Sequence, residues 1–217
     1  MMDDLTLIQR IVVWILPVIF AITVHEVAHG WVAKKFGDNT ASQLGRLTLN
    51  PIKHVDLVGT IIIPGLLLIT SAGFIFGWAK PVPVDARYFK NPRRDMAIVA
   101  VAGPVANLLM AIAWAMVVKL GVSLSIEGVS LPLILTGMAG IQINLVLALI
   151  NLIPIPPLDG SRIVTGFLSN RLAWQYNKLE RYGFFILIAL LWTGGLSYIL
   201  GYPLNYMFRL FASLAGM

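Results

Sequence analysis

The sequence predicts an all-α polytopic membrane protein, and its composition and its repeated apolar runs carry that prediction. Of the 217 residues, 58% are hydrophobic and 12% are charged, and the mean hydropathy is +0.83. A soluble domain of this composition would lack the polar surface needed to cover itself. Apolar runs of roughly 20 residues, the length that crosses a hydrocarbon core, recur along most of the chain.

The charges and the absence of cysteine restrict the partners and the metal chemistry. The formal net charge is +6, and the chain has no cysteine. Lys and Arg flank the apolar runs and form no basic stripe interleaved with aromatic residues, so we expect the lipid bilayer as a partner and no nucleic acid. Without cysteine, a disulfide framework and a thiolate metal site are excluded, which leaves His and carboxylate side chains as the strong metal ligands.

About five membrane-embedded segments are predicted, within a single membrane-embedded domain of residues 1–217. The core covers residues 11–162, and C-terminal helices fall within residues 182–217. The stretch Leu204 to Phe211, after Gly201 and Pro203, is too short to span a bilayer and indicates an interfacial segment. The five apolar segments are Ile11 to Ala33, Leu57 to Ala79, Met96 to Val118, Leu131 to Pro157, and Tyr182 to about Leu200.

The third and fourth segments have features that locate them in the bundle. The third is rich in small residues, among them Gly103 and Ala106, which allow close helix packing in lipid, so we expect it at the centre. The fourth ends in Pro154-Ile155-Pro156-Pro157, which cannot remain helical. Backbone of this kind must line protein or a wet cavity when it lies at membrane depth.

The second segment is predicted to enter the membrane as a helix and to return as a re-entrant, β-like element between the first and second core helices. Gly73, Gly77, Pro81 and Pro83 punctuate its end. A full span would place 10 of the 16 Lys and Arg residues on one side, whereas a re-entrant segment places 13 of the 16 there. Because Lys and Arg are enriched in cytoplasmic loops, the re-entrant topology is favoured, with residues 34–56, 80–95 and 159–181 cytoplasmic.

The first apolar segment contains His25-Glu26-Val27-Ala28-His29, which matches the pattern His-Glu-x-x-His. Positions four apart share a helix face, so both imidazoles can reach one metal while Glu26 activates a water beside them. His25 lies roughly 12 Å below the end of the run at helical rise, where ionisable groups are costly unless they are paired or metal-bound. The alternative, a polar cluster that holds helices together, explains neither the spacing nor Glu26.

Asp159 is the candidate for a third ligand. A catalytic zinc site takes three protein ligands and keeps one position open. The alternative is an N-cap for a helix that begins near Ser161, a common role for Asp. His25 and His29 lie near the C-terminal end of the first segment, and Asp159 follows the C-terminal end of the fourth segment. The three side chains therefore meet only if both segments cross the membrane in the same direction. A non-spanning second segment satisfies this condition, in agreement with the charge distribution.

Three ordered motifs resemble the site-2 protease family of intramembrane zinc metalloproteases. The similarity covers Ile11 to about Arg162, and it is to the minimal bacterial and archaeal branch, which lacks PDZ and CBS domains. The long helical stretch Leu57 to Thr70 departs from the simple β-loop of the family pattern. The motifs are His25-Glu-x-x-His29, Ala102-Gly103-Pro104, and Asn151-Leu-Ile-Pro followed by Leu158-Asp159-Gly160.

The resemblance implies an enzyme that uses one zinc ion per chain to hydrolyse peptide bonds within or near transmembrane segments. It implies His25, His29 and Asp159 as the metal ligands, beside the base Glu26, and a re-entrant β element from Phe74 to Val84. Expected partners are transmembrane protein or peptide substrates, with a regulatory membrane protein as a further candidate. The expected location is the cell membrane, as a multi-pass protein whose active site opens toward the cytoplasm.

Four other polar residues need an interpretation, and for two of them, Asn151 and His54, alternatives stay open. Asn151 either binds the unwound substrate backbone or the developing oxyanion, as the resemblance suggests, or is a satisfied amide between helices. Asn107 and Asn144 belong to no metal motif and are interpreted as packing groups. His54 either guards the site or replaces a ligand, although a loop His beside an Asp is more often a solvated cap.

Two functions of other classes fit part of the pattern. An intramembrane metal transporter would explain ligands inside the membrane, but it leaves Glu26 without a task. The chain also shows no internal inverted repeat of the kind that many transporters use. A catalytically inactive scaffold that binds membrane helices does not account for Glu26 either.

Overall fold

Three long apolar helices form the centre of the protein. A computed structural model of the chain describes residues 5–63, 66, 77–124 and 126–216. The long helices are α1 (Leu7–Lys35), α3 (Pro92–Leu124) and α4 (Ser130–Asn151), and each is long and apolar enough to cross a membrane. Ile11 and Ile15 on α1 expose about half of their surface, as lipid-facing side chains do. The described residues form helices and no strands, so the prediction of an all-α polytopic membrane protein is confirmed.

Shorter elements connect and follow the long helices. The loop between α1 and α3 contains α2 (Thr40–Gln43), two 3-10 turns at Pro51–Lys53 and Ala86–Tyr88, and a π-helical turn at Leu57–Ile62. After α4 come α5 (Asp159–Phe167), α6 (Asn170–Asn177), α7 (Glu180–Trp192) and α8 (Gly195–Leu214).

The predicted re-entrant element falls only partly on the described residues. Its start is helical at Leu57–Ile62, as expected. Residues 77–84 have neither helical nor strand hydrogen bonding, so this part of the expected β element is not a regular strand. Residues 64, 65 and 67–76 lie outside the described residues. The re-entrant passage therefore stays a prediction.

The directions of the three long helices satisfy the condition for Asp159 to meet the histidines. On α1 and α3, the bonded pairs are His29 with Val99 and Ala21 with Asn107, so these helices are antiparallel. Asn107 also bonds Asn144 on α4, and Val118 of α3 packs on Gly137, so α3 and α4 are antiparallel too. The helices α1 and α4 therefore run in the same direction, and their C-terminal ends lie at the same end of the bundle.

Small residues allow α3 to lie at the centre, as predicted. Ala111 and Ala115 of α3 are buried against Ile141 and Leu145 of α4. A Cβ atom on Gly140 of α4 would lie 2.2 Å from the indole ring of Trp114 on α3, so only glycine permits this approach. The helix α3 also contacts α1, α5 and α8. Close packing supplies the attraction between helices that the hydrophobic effect does not supply in lipid.

The fourth and fifth predicted segments need boundary corrections. The helix α4 ends at Asn151, six residues before the predicted Pro157, because the proline-rich stretch cannot continue it. The fifth segment does not end near Leu200, since α8 continues through Gly201 and Pro203. The break lies instead at Gly194, where a φ of +74° favours glycine and α7 and α8 meet at a bend of 75°.

The stretch Leu204 to Phe211 is not a separate segment, which corrects that part of the expectation, whereas its interfacial position stays a prediction. These residues belong to α8. Leu204, Met207, Phe208 and Phe211 pack on the hydrophobic cluster between α3 and α4. Tertiary packing thus keeps the helix continuous despite Pro203, as neighbouring helices do for proline in membrane helices.

The topology prediction can be tested in this cysteine-free chain by placing single cysteines at Lys53 and Arg87, both of which are exposed. We expect an impermeant thiol reagent to label both positions from the same side of sealed vesicles, because the segment between them enters and leaves on one side. A cysteine at exposed Lys119, at the other end of α3, is the control and should label from the opposite side. Labelling of positions 53 and 87 from opposite sides would refute the re-entrant segment.

Candidate metal centre

The helix α1 presents two histidine side chains on one buried face. His25 and His29 are 7% and 8% exposed, and their Nε2 atoms are 3.0 Å apart. The helix that carries them begins with a capping box formed by Thr6 and Gln9 and continues through Pro17 without interruption. A spacing of four residues therefore places both imidazoles at the same point of the bundle, one turn apart.

Asp159 reaches the same point from the start of α5. Its Oδ2 atom lies 3.2 Å from Nε2 of His25 and 3.2 Å from Nε2 of His29. The N-cap of α5 is Leu158, and no side chain caps this helix, so the alternative role of Asp159 as a cap is not seen. Gly160 makes the turn possible, because a Cβ atom there would lie 2.4 Å from the carbonyl oxygen of Leu152.

The hydrogen bonds of the two imidazoles fix which ring nitrogen faces Asp159. Nδ1 of His25 lies 2.6 Å from Oδ1 of Asn107, and Nδ1 of His29 lies 2.8 Å from the carbonyl oxygen of Val99. Both partners are acceptors, so each Nδ1 carries the hydrogen and each neutral ring presents its Nε2 lone pair. The amide of Asn107 is oriented by its Nδ2, which donates to the carbonyl of Ala21.

Three electron-pair donors therefore meet at one buried point. Oδ2 of Asp159 is buried and has no hydrogen-bond partner. Lone pairs this close repel one another unless a cation lies between them.

The three donor atoms fit a tetrahedral zinc ion. Zinc bonds to nitrogen and oxygen at about 2.0–2.1 Å, which separates two tetrahedral ligands by roughly 3.3 Å. The observed separations are 3.0, 3.2 and 3.2 Å, and among the described residues these three form a group that could hold a metal ion. Two imidazoles and one carboxylate leave the fourth position open, as in catalytic zinc sites.

Glu26 lies beside this group and is not part of it. Its Oε2 accepts a hydrogen bond of 2.7 Å from the backbone N–H of Val82. The chain around Val82 is fixed in turn, since Arg46 donates to the carbonyl oxygens of Lys80 and Pro81 at 2.8 and 3.2 Å. Gly30 allows this approach to α1, because a Cβ atom there would lie 2.8 Å from Cγ1 of Val82.

Comparison with known proteins assigns the family. The family model described as peptidase family M50 matches residues 13–129 and 121–194. The chain belongs to peptidase family M50. This is the family of site-2 proteases, and the chain is an intramembrane metalloprotease of that type, with zinc as the metal of the family.

Two similar proteins have names that begin "Putative zinc metalloprotease". YwhC of Bacillus subtilis is 43% identical over 196 residues, which cover 88% of this chain and 85% of that protein. Rip2 of Mycolicibacterium smegmatis is 31% identical over 183 residues, which cover 82% of this chain and 66% of Rip2. No solved structure matches the chain significantly.

Asn107 contributes more to the site than the packing role expected of it. It is fully buried, and besides accepting from His25 it donates to Oδ1 of Asn144 at 2.9 Å. Asn144 donates to the carbonyl of Gly140 within α4. This chain of amides orients His25 and ties it to α3 and α4. The spacing of four residues between Gly103 and Asn107, which puts both on one face of α3, is the signal that could have identified it.

Asn151 and His54 lie outside the ligand group. Nδ2 of Asn151 donates to the carbonyl of Leu147 at 3.0 Å, within its own helix, so its catalytic role stays a prediction. His54 is 2% exposed, and the expectation of a solvated cap was wrong. Its Nε2 lies 2.8 Å from the carbonyl oxygen of Thr48, and its own carbonyl accepts from the N–H of Lys80. His54 therefore helps to fix the segment that contacts Glu26.

Gly103 of the family motif lies directly against both imidazoles, and Gly103→Ala should weaken zinc binding. A Cβ atom there would lie 2.5 Å from Nε2 of His29 and 2.6 Å from Nε2 of His25. We expect the zinc affinity to fall by about tenfold or more, because both donor atoms must move. The measurement is zinc affinity by competition with a chelator. Gly201→Ala is the control, since a Cβ atom there meets nothing within 4 Å. Equal affinities of both variants would contradict the contact.

Asn107→Ala should also weaken zinc binding, by about 10- to 100-fold, because His25 loses the partner that fixes its tautomer and ring orientation. Asn205→Ala, at an exposed position of α8, is the control for handling and folding. Zinc affinity is measured together with the thermal unfolding midpoint, so that a general loss of stability can be separated from a loss at the metal. Unchanged affinity would assign Asn107 a packing role only.

Proposed function

We propose that the chain is a zinc endopeptidase that hydrolyses peptide bonds within or near transmembrane segments of other membrane proteins. In this proposal His25, His29 and Asp159 hold one zinc ion, and Glu26 is the general base. The observation that carries it is that three electron-pair donor atoms meet at one point inside the bundle, where Oδ2 of Asp159 is buried without a hydrogen-bond partner. Family membership supports the same reaction class.

The proposed mechanism divides the work between the metal and Glu26. When bound, zinc supplies Lewis-acid polarisation of the scissile carbonyl and lowers the pKa of the attacking water. Glu26 takes the proton of that water and delivers it to the leaving nitrogen. The N–H of Val82 holds Oε2 of Glu26, which orients the carboxylate and leaves Oε1 as the proton acceptor.

Substrate binding requires an unwound peptide. A membrane helix hides its carbonyl groups in its own hydrogen bonds, so the substrate must open locally before attack. We propose that the segment ending at Val84 takes the released backbone as an added strand, since Pro81 and Pro83 are compatible with an edge position. Asn151 is proposed to bind the substrate backbone or the oxyanion, for which its side chain must leave the carbonyl of Leu147.

The site is proposed to open toward the cytoplasm of the cell membrane. The end of the bundle that carries Asp159 also carries Lys34, Lys35 and Arg162, and the re-entrant topology gives this side 13 of the 16 cations. The positive-inside rule then makes it cytoplasmic. A regulatory membrane protein remains a candidate partner.

Substitutions of Glu26 and Asp159 should separate base from ligand. Glu26→Gln should keep the zinc and lower cleavage of a transmembrane test substrate by about 10²- to 10⁴-fold, because the proton acceptor is gone. Asp159→Asn should weaken zinc binding, because a charged ligand becomes neutral. Zinc content is measured by elemental analysis, and product is measured by mass spectrometry after reconstitution into vesicles.

Glu127→Gln is the matched control, because Glu127 is an exposed glutamate far from the site in sequence. This substitution should change neither the zinc content nor the amount of cleavage product. A Glu26→Gln protein that loses zinc and retains cleavage would show that the roles are wrongly assigned. The transporter alternative would be favoured if the Glu26→Gln protein and the native chain moved zinc across the vesicle membrane at equal rates and neither protein cleaved the substrate.

A further inference from the structure

A cavity of about 580 Å³, on the side proposed to be cytoplasmic, is lined by residues that follow metal-centre residues closely in the chain. One wall contains Pro83 and Val84, which directly follow the residue bonded to Glu26. The lining also contains Ser161, two residues after Asp159. The loops and helix starts that line the cavity thus continue directly from the metal-centre residues. A peptide held at Glu26 and Asp159 would continue into this space.

The cavity carries an excess of positive charge. Arg87, Arg93 and Arg162 line it, against Asp85 and Glu180. Arg87 is paired with Asp85 at 2.6 Å, and Arg93 donates to the carbonyl of Leu168. The guanidinium of Arg162 donates only to the sulfur of Met96, at 3.6 Å, and thioether sulfur is a weak acceptor. Among the described residues, Arg162 therefore has no carboxylate partner.

We propose that this cavity receives the juxtamembrane residues that flank the scissile segment, and that Arg162 selects substrates with an acidic residue there. The proposal rests on the proteolytic function proposed above and names a feature of its substrates. Most membrane proteins carry Lys and Arg at their cytoplasmic flanks. A cavity with excess positive charge repels such flanks and accepts the minority that carry Asp or Glu, so the same charge attracts one class and rejects the other.

The test uses one transmembrane substrate with Asp, Asn or Lys at a single cytoplasmic flanking position, in vesicles of zwitterionic lipid. The native protein should prefer Asp over Asn by about threefold to fivefold in kcat/KM, as expected for a partly exposed ion pair, and Lys should be the poorest. The difference should lie mainly in KM, because the flank is bound away from the scissile bond. High salt should reduce the difference between the Asp and Asn substrates, because salt screens the interaction of exposed charges.

Variants of the cavity change the preference in opposite directions. Arg162→Glu should reverse the order and favour Lys, whereas Arg162→Lys should retain the preference for Asp. Glu180→Gln should increase that preference, an outcome that misfolding does not produce. Arg171→Glu is the matched control, since Arg171 is exposed on α6 and does not line the cavity; the order should stay as in the native protein.

Two results would overturn the proposal. One is an equal rate for Asp, Asn and Lys substrates with the native protein. The other is a preference that Arg162→Glu leaves unchanged. Anionic vesicles distinguish the alternative occupant: if anionic lipid headgroups fill the cavity, anionic lipid will abolish the preference at low substrate concentration and excess substrate will not restore it.

Failure of the proposed role of the cavity can be distinguished from failure of the proposed proteolytic function. Binding of the labelled Asp, Asn and Lys substrates to the Glu26→Gln protein is measured without cleavage. If the Glu26→Gln protein binds the three substrates in the same order and Arg162→Glu reverses that order, the proposed selectivity of the cavity is supported even if the native chain cleaves none of them. Cleavage of all three substrates without any order in binding supports the protease and overturns the cavity.

Discussion

The structure depends on the convergence of three electron-pair donors inside an apolar bundle. Nε2 of His25, Nε2 of His29 and Oδ2 of Asp159 lie within 3.2 Å of one another, and such an arrangement is costly at low dielectric unless a cation occupies its centre. The arrangement requires α1 and α4 to run in the same direction, so that Asp159 follows a helix end near the histidines. It also requires a chain reversal after α4, which the proline-rich stretch and Gly160 provide.

The helix α3 serves as the platform for both histidines. Val99, Gly103 and Asn107 are spaced by four residues and therefore share one face. The carbonyl of Val99 binds His29, Gly103 leaves room for both rings, and the amide of Asn107 binds His25. Each ring thus has a partner on one side that fixes its tautomer, and its lone pair is directed to the other side. The proposed ligands on α1 are therefore oriented by a helix that contributes none of the three proposed ligands.

The sequence was most informative where one residue had few physical alternatives. His and Glu in an apolar run predicted a polar site, and the direction of the segments predicted that Asp159 meets it; the structure brings these residues together. Asn107 was assigned to packing because hydropathy does not identify which residue its amide faces. The continuation of α8 through Pro203 and the burial of His54 were missed for a related reason, since both depend on contacts with residues distant in sequence.

The position of Glu26 is linked to the segment proposed to bind substrate. Its carboxylate accepts the N–H of Val82, and the adjacent backbone is held by side chains rather than by a strand: Arg46 binds the carbonyls of Lys80 and Pro81. Asp38 binds the N–H of Asp85 a few residues further on. Because prolines at 81 and 83 have no N–H to donate, the segment depends on these side chains for its position. The proposed base and the proposed substrate-binding edge are therefore held by one network, and displacing the edge would displace Glu26.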